Sequence, residues 1–150
     1  TNPEEYMIRC TDGVGGIGTF KKWGASVDFT ASVLKMDENS KFVNTKHSAD
    51  VYYTFENAIY RWSLISAPVA KPAITLPEGE QIRDIATNFK GRGKGDDGED
   101  LLYVVTYNPD RSGEKKGSLY VYSFADDSLV KSYEGICDDP VSVLYKYRVN

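Results

Sequence analysis

Residues 51–64 read VYYTFENAIYRWSL, and their pattern returns later in the chain. IYRWSL at 59–64 matches LYVYSF at 119–124 with an offset of 60, and QIRDIATNF at 81–89 matches PVSVLYKYR at 140–148 with an offset of 59. VYYTF at 51–55 matches YVVTY at 103–107 with an offset of 52. The difference of 8 residues is the extra length of the second hairpin loop. A unit of four strands is therefore predicted to occur twice, with length differences confined to loops.

Each copy of the unit shows apolar–polar alternation interrupted by turn residues, which is typical of short strands. Glu56 and Asn57 predict a tight hairpin, and prolines around 73–76 indicate an edge strand. The spacing of Ile82, Ile85 and Phe89 breaks strict alternation, which fits either a bulge or a strand buried on both sides. Residues 31–38 fit either one or two turns of helix or a continued strand. The predicted strands are 49–55, 58–64, 73–76, 81–89, 101–107, 118–124, 129–133 and 141–147.

These strands predict an all-β fold of antiparallel, four-stranded blade repeats that form part of a β-propeller, about two blades plus a strand. Residues 1–48 would be a lead-in and partial blade with an inner strand at 23–30, followed by blade-like repeats at 49–89 and 90–150. Inner strands are expected at 81–89 and 140–148, and outer strands at 73–76 and 129–133. Because two blades leave open sheet edges, we expect either a larger propeller or self-association.

Composition limits the function classes. The 150 residues have 13% aromatic content, with 11 tyrosines, and a net charge of -4, which argues against non-specific binding to nucleic acid. No apolar stretch is long enough to span a membrane, and the start of the sequence does not resemble a signal peptide. Because the chain begins without Met, we expect it to have been trimmed or cut from a longer protein.

Few residues could support metal binding or nucleophilic catalysis. Cys10 and Cys137 form no C-x-x-C motif, and they could either form a disulfide or remain two partly buried thiols. His47, the single histidine, lies in a polar segment without a nucleophile elbow. We therefore predict no catalytic residue, no metal and no cofactor.

Three motifs have simpler structural interpretations. Residues 13–18 satisfy G-x-G-x-x-G, but the following TFKKWG is a poor helix start, so a glycine loop is favoured over a nucleotide site. The acidic loop at 96–100 lacks the calcium-loop spacing and is expected to be solvated. The pairs 126–127 and 138–139 are aspartates that favour turns.

Binding is predicted at one end of the second blade. The loop 108–117 and the connection 135–140 should emerge on the same face of a blade, while Tyr60, Trp62, Tyr120 and Tyr122 alternate on strands and should pack between sheets. The candidate binding residues are Tyr107, Arg111, Lys115, Lys116, Asp138 and Asp139. The expected function is a non-catalytic module for a glycan or protein partner. A glycan-active hydrolase or lyase with an inter-blade site, and a purely structural scaffold, are the alternatives.

The order of segments from 50 to 148, with VYYTFENAIYRWSL, ITLPEGEQIRDIATNF, LLYVVTYN, GSLYVYSFADDSLVKSYEG and VSVLYKYR, resembles the C-terminal propeller-like region of PKD-like family surface lipoproteins. The resemblance implies a secreted protein at the bacterial cell surface or outer membrane, encoded beside glycan-uptake systems. It supplies no catalytic residues. The lipid-attachment cysteine of such proteins is not evident in residues 1–5.

Overall fold

The computed structural model describes residues 6–11, 18–23, 27–28, 37–44, 50–63, 71–88 and 99–146. Within these ranges the chain forms strands, turns and irregular segments and no helix, which confirms the all-β prediction. The strands are β1 Tyr6–Thr11, β2 Gly18–Trp23, β3 Val27–Asp28, β4 Phe42–Asn44, β5 Asp50–Phe55, β6 Ala58–Ser63, β7 Ile74–Thr75, β8 Gln81–Thr87, β9 Leu101–Tyr107, β10 Gly117–Ser123 and β11 Leu129–Cys137.

The strands form antiparallel sheets in which neighbours follow chain order. β1, β2 and β3 make the N-terminal sheet, β4 to β7 the middle sheet, and β8 to β11 the C-terminal sheet. The two four-stranded sheets thus cover 42–75 and 81–137, and β8 pairs with β9, so residues 81–87 belong with the C-terminal sheet. β11 contains the predicted outer strand 129–133, β7 forms only the middle two residues of the predicted strand 73–76, and both lie at sheet edges.

Strand pairing corrects one part of the repeat alignment. Tyr52 pairs with Arg61 in the middle sheet, and Tyr103 pairs with Val121 in the C-terminal sheet. If Arg61 corresponds to Val121 at the offset of 60, Tyr52 corresponds to Tyr103 at an offset of 51 instead of 52. A slip of one residue exchanges the two faces of a strand, so this change decides which side chains are equivalent.

Local turn chemistry follows the sequence. The β5–β6 hairpin turns at Glu56 and Asn57, with Glu56 at a positive φ of 52°, and the predicted bulge lies between Ile82 and Asp84. At the β10–β11 turn, the Asp126 carboxylate accepts a hydrogen bond from the Ser128 backbone N–H at 3.1 Å. These residues form the turns that their types predict.

The main core lies between the middle and C-terminal sheets, as expected for stacked blades. It contains Tyr52 and Ile59 from the middle sheet together with Val104, Tyr120 and Tyr122 from the C-terminal sheet. The opposite face of the middle sheet carries a second buried cluster. Its members are Val51, Tyr53, Tyr60 and Trp62. The alternating aromatic residues of β6 and β10 are therefore packing residues, as predicted.

A polar network also joins these two sheets. The Tyr52 hydroxyl donates to the Asp127 carboxylate, and the Tyr52 ring meets Phe124 edge-on at 4.5 Å between centroids. Arg61 Nη1 donates to the Phe124 carbonyl at 3.0 Å and to Asp127 at 3.2 Å, while its Nε donates to Asp50 at 2.8 Å. The turn between β10 and β11 is thereby fastened to the face of the middle sheet.

The prediction of a strand at 141–147 is wrong, because residues 141–146 pair with no other strand among the described residues. Their exposure still alternates as in a strand, with Val143 and Tyr145 half-buried and Leu144 88% exposed. Val143 N–H donates to the Asp84 carboxylate at 3.0 Å, and the Tyr145 ring stacks on Tyr103 at 5.5 Å. The segment has the sequence of a strand, but among the described residues it has no neighbouring backbone with which to pair.

Three other predictions fall mainly in the N-terminal third. The inner strand expected at 23–30 is replaced by the end of β2 at Trp23 and the short β3 at 27–28. β2 begins at Gly18, so a strand and not a helix N-terminus follows the glycine-rich segment, which removes the basis for a nucleotide site. The candidate helix at 31–38 lies outside the described residues except at its last two positions.

Close packing at Gly117 positions the end of the C-terminal sheet. A Cβ atom added there would lie 2.6 Å from Cys137 Sγ and 2.6 Å from Pro140 Cδ, so no larger residue fits without displacement. Cys137 is half-buried and carries a free thiol. Of the two possibilities left open for the cysteines, the thiol form is the one seen at Cys137.

Buried tyrosines make the fold sensitive to alkali. Burial raises the pKa of Tyr53 and of Tyr122 to about 12, and burial with the hydrogen bond to Asp127 raises the pKa of Tyr52 further. The folded state keeps these phenols neutral while the unfolded chain ionises them near pH 10. Stability should therefore be level below pH 9 and fall above pH 10, by about 1.4 kcal/mol per pH unit for each such tyrosine.

Urea unfolding between pH 8 and pH 12 checks this expectation. Tyr122→Phe should make the free energy of unfolding fall less steeply above pH 10, by about 1.4 kcal/mol per pH unit. A free energy of unfolding that stays constant up to pH 12 would contradict the burial of these hydroxyls.

Candidate functional site

The two predicted binding loops meet at one end of the C-terminal sheet. Gly117 pairs with Cys137, and Pro140 packs against Gly117, so the β9–β10 loop lies beside the connection that follows β11. The Lys115 carbonyl also approaches Gly135. The structure therefore brings together the segments that contain the candidate binding residues.

A buried ion pair supports the β9–β10 loop. The Glu80 side chain is only 2% exposed, and its carboxylate accepts hydrogen bonds from Arg111 Nη2, from Thr106 Oγ1 at 2.5 Å and from Asn108 Nδ2 at 3.3 Å. Arg111 Nη1 also donates to Glu134 on β11 at 2.9 Å. Arg111 thus fastens its loop to two other segments of the chain.

The electrostatics of this cluster favour the charged form of Arg111. Burial acts to lower the pKa of Arg111, but the hydrogen bond and charge of Glu80 outweigh it and the pKa is raised. Burial, together with the Glu80 charge, raises the pKa of Tyr120 as well. The Arg111 Nε and the Ser118 Oγ are buried without a hydrogen-bond partner.

The backbone before β8 is held in a similar way. The Asn57 side chain, from the β5–β6 hairpin, donates to the Glu80 carbonyl and accepts from the Ile82 N–H at 3.1 Å. The middle sheet thereby fixes the position of Glu80, and Glu80 in turn fixes Arg111.

A polar cleft of about 580 Å³ opens beside the ion pair. Arg111 and Glu134 are among the residues that line it, and the exposed Glu114 and Lys115 lie at the loop tip around Gly113. Gly113 has a positive φ of 95°, which suits glycine at this bend. Charged groups of both signs therefore surround one cleft, an arrangement that suits a polar ligand.

The remaining candidates are placed differently. Arg83 lies over the Tyr107 ring at 4.7 Å and donates to Asp139 at 3.3 Å, so it joins these two candidates. Lys116 is half-buried, and its ammonium donates to the Pro109 carbonyl. Asp138 is exposed after the end of β11.

The sequence prediction did not include Glu80, Arg83 and Glu134. Glu80 ends the P-E-G-E turn before β8, where a carboxylate is expected to be solvated, and only its tertiary position shows it to be buried. Arg83 lies on the exposed side of β8. No periodicity in the sequence distinguishes these residues from other surface charges.

Other chemistry has little support in the described segments. No group of three or more His, Cys, Asp or Glu residues there is arranged to hold a metal ion. In the acidic loop, Asp96 and Asp97 lie outside the described residues, and Glu99 accepts a hydrogen bond from Ser123 Oγ. His47 also lies outside them.

Comparisons with known proteins give no relative: no family model matches the chain, and neither a curated protein nor a solved structure does. In the described part of the chain there is no helix long and apolar enough to cross a membrane.

The Glu80–Arg111 pair should be important for stability. Arg111→Ala would leave the Glu80 carboxylate buried and unpaired, and we expect it to lower the free energy of unfolding by about 3–5 kcal/mol. The double variant Glu80→Leu/Arg111→Leu should be less destabilised, because it removes both charges. Lys115→Ala, at an exposed position of the same loop, serves as control and should change stability by less than about 0.5 kcal/mol.

Denaturant unfolding measures all three variants. An Arg111→Ala protein as stable as the parent would show that Glu80 is solvated and not held in the cluster.

Proposed function

We propose that this chain is a non-catalytic binding or interaction module made of propeller-type blades, and that the polar cleft at the end of its C-terminal sheet receives the ligand. The four-stranded meanders and their stacking support the blade interpretation. In this architecture the sheets act as a rigid frame and the loops carry recognition.

The observation that carries the proposal is the rigid support beneath an exposed, charged loop. Arg111 is engaged with Glu80 and Glu134, so it shapes the cleft and does not offer its guanidinium to a ligand. The groups free to contact a ligand are those at the tip, Glu114 and Lys115. Because Arg111 anchors the backbone of this loop, less of the loop has to be ordered when a ligand binds at the tip.

The ligand class that suits the cleft is a glycan. A lysine and a carboxylate at its rim can donate to and accept from sugar hydroxyls, and Tyr107 lies at the base of the loop. The resemblance to surface lipoproteins agrees with this ligand and with a location at the bacterial cell surface. A protein partner that presents charges of both signs is the alternative ligand.

The catalytic alternative is less well supported at this cleft. Glycoside hydrolysis uses a pair of carboxyl groups that exchange protons with substrate. Here Glu80 and Glu134 both accept hydrogen bonds from Arg111, and Glu80 is buried beneath it. A purely structural role for the blades would leave the exposed loop tip without a function.

Binding can be tested on the loop tip without disturbing the frame. Lys115→Ala and Glu114→Ala should each weaken binding to a panel of soluble polysaccharides about 5- to 30-fold, as expected for loss of one or two kcal/mol of polar contact. Affinity gel electrophoresis measures the retardation. Lys71→Ala, an exposed lysine outside this loop, should leave binding unchanged.

Retardation by a polysaccharide that is identical in the parent, Lys115→Ala and Glu114→Ala proteins would exclude this cleft as the binding site.

A further inference from the structure

The outer face of the C-terminal sheet is apolar and open. A groove of about 490 Å³ runs over β9, β10 and β11 on the side away from the middle sheet. Tyr133 and Ile136 on β11 are 42% and 45% exposed. The groove is lined mainly by Leu101, Tyr103, Leu119, Val121, Tyr133 and Ile136. Such a face is expected to be covered by another element.

The stacking of the two four-stranded sheets indicates what would cover it. β4 and β8 are neighbours, and Thr87 Oγ1 at the end of β8 donates to the Asn44 carbonyl at the end of β4 at 3.3 Å. The sheets therefore stack with their first strands adjacent and with the last residues of these strands side by side. In stacking of this kind, each sheet presents one face to the preceding sheet and its other face to the following sheet.

The corrected alignment gives the equivalent residues. The middle-sheet face that packs on the C-terminal sheet includes Tyr52 and Ile59, which correspond to Tyr103 and Leu119. These two lie on the open face of the C-terminal sheet. The open face is thus the structural equivalent of a face that is covered in the same molecule by a four-stranded sheet.

Residues 141–146 lie where the first strand of that next sheet would begin. Val143 contacts β8 through Asp84, as β4 contacts β8 in the existing interface. Tyr145 stacks on Tyr103 of the open face. The segment has strand-like alternation but, within the described residues, no pairing partner.

The N-terminal sheet has one strand fewer than the other two sheets. It has three strands in the order β1, β2, β3, whereas the other two sheets have four. In each four-stranded sheet, a first strand pairs with the long hairpin that follows it. In the N-terminal sheet β1 and β2 form such a hairpin, but within the described residues no strand pairs with the other edge of β1. Within the described residues, the same chain thus contains an unpaired strand-like segment, 141–146, and a sheet without a first strand, the N-terminal sheet.

We propose that a second copy of this chain covers the open face: its N-terminal sheet stacks on the groove and pairs its β1 with residues 141–146. This inference rests on the propeller-type architecture proposed above. The described sheets number three for each copy, too few to close a ring, whereas two copies supply six, within the range of about 4 to 8 blades in propellers. The exchange is reciprocal, so a dimer satisfies both open sites.

Light scattering coupled to size-exclusion chromatography tests this on the full chain. The parent protein should elute with twice the 16.8 kDa chain mass. Leu144→Pro removes a backbone N–H needed for strand pairing and should weaken the dimer at least tenfold. Leu144→Ala retains that N–H and should remain more dimeric than Leu144→Pro. Leu129→Asp, at an exposed leucine on the other side of β11, is the control and should stay dimeric.

A monomeric parent protein at tens of micromolar would overturn the proposal, as would a dimer that Leu144→Pro leaves unchanged. The test of the dimer is independent of the test of ligand binding. If a monomer still shows Lys115-dependent retardation by polysaccharide, only the dimer is excluded.

Discussion

The contact between Tyr52 and the β10–β11 turn is the interaction on which the rest of the structure depends. Tyr52 lies in the core between the two four-stranded sheets, meets Phe124 edge-on and donates its hydroxyl to Asp127. Arg61 binds the same turn through the Phe124 carbonyl. Apolar packing alone would let two flat sheets slide over each other, whereas directional hydrogen bonds at one end fix their relative position.

That fixed position determines the geometry of the end of the C-terminal sheet where the polar cleft lies. The β5–β6 hairpin of the middle sheet reaches the segment before β8 through Asn57, and Glu80 in that segment holds Arg111. The long β9–β10 loop is consequently anchored at a buried carboxylate even though its tip is exposed. The loop length that distinguishes the second repeat from the first is therefore the source of the cleft.

The sequence predicts the all-β character and most of the strands, because strand alternation and turn residues are local signals. The hairpin at Glu56 and Asn57, the bulge near Ile82 and strand β9 all follow from them. Sequence matching misplaced the β5–β9 correspondence by one residue, since similar residues occupy both faces of these strands and only pairing reveals the register. It also predicted a strand at 141–147, because alternation cannot show whether a partner backbone exists. Arg111 was selected for its charge, but its partner Glu80 is 31 positions away and only the fold brings them together.

A double-mutant cycle with Tyr52→Phe and Asp127→Ala tests the contact between the two sheets most directly. If the hydroxyl of Tyr52 binds the Asp127 carboxylate across the interface, the cycle should give a coupling free energy of about 1–2 kcal/mol in urea unfolding at pH 7. A coupling energy indistinguishable from zero would show that the β10–β11 turn does not contact the middle sheet at Tyr52, and would contradict the stacking of the two four-stranded sheets described for this protein.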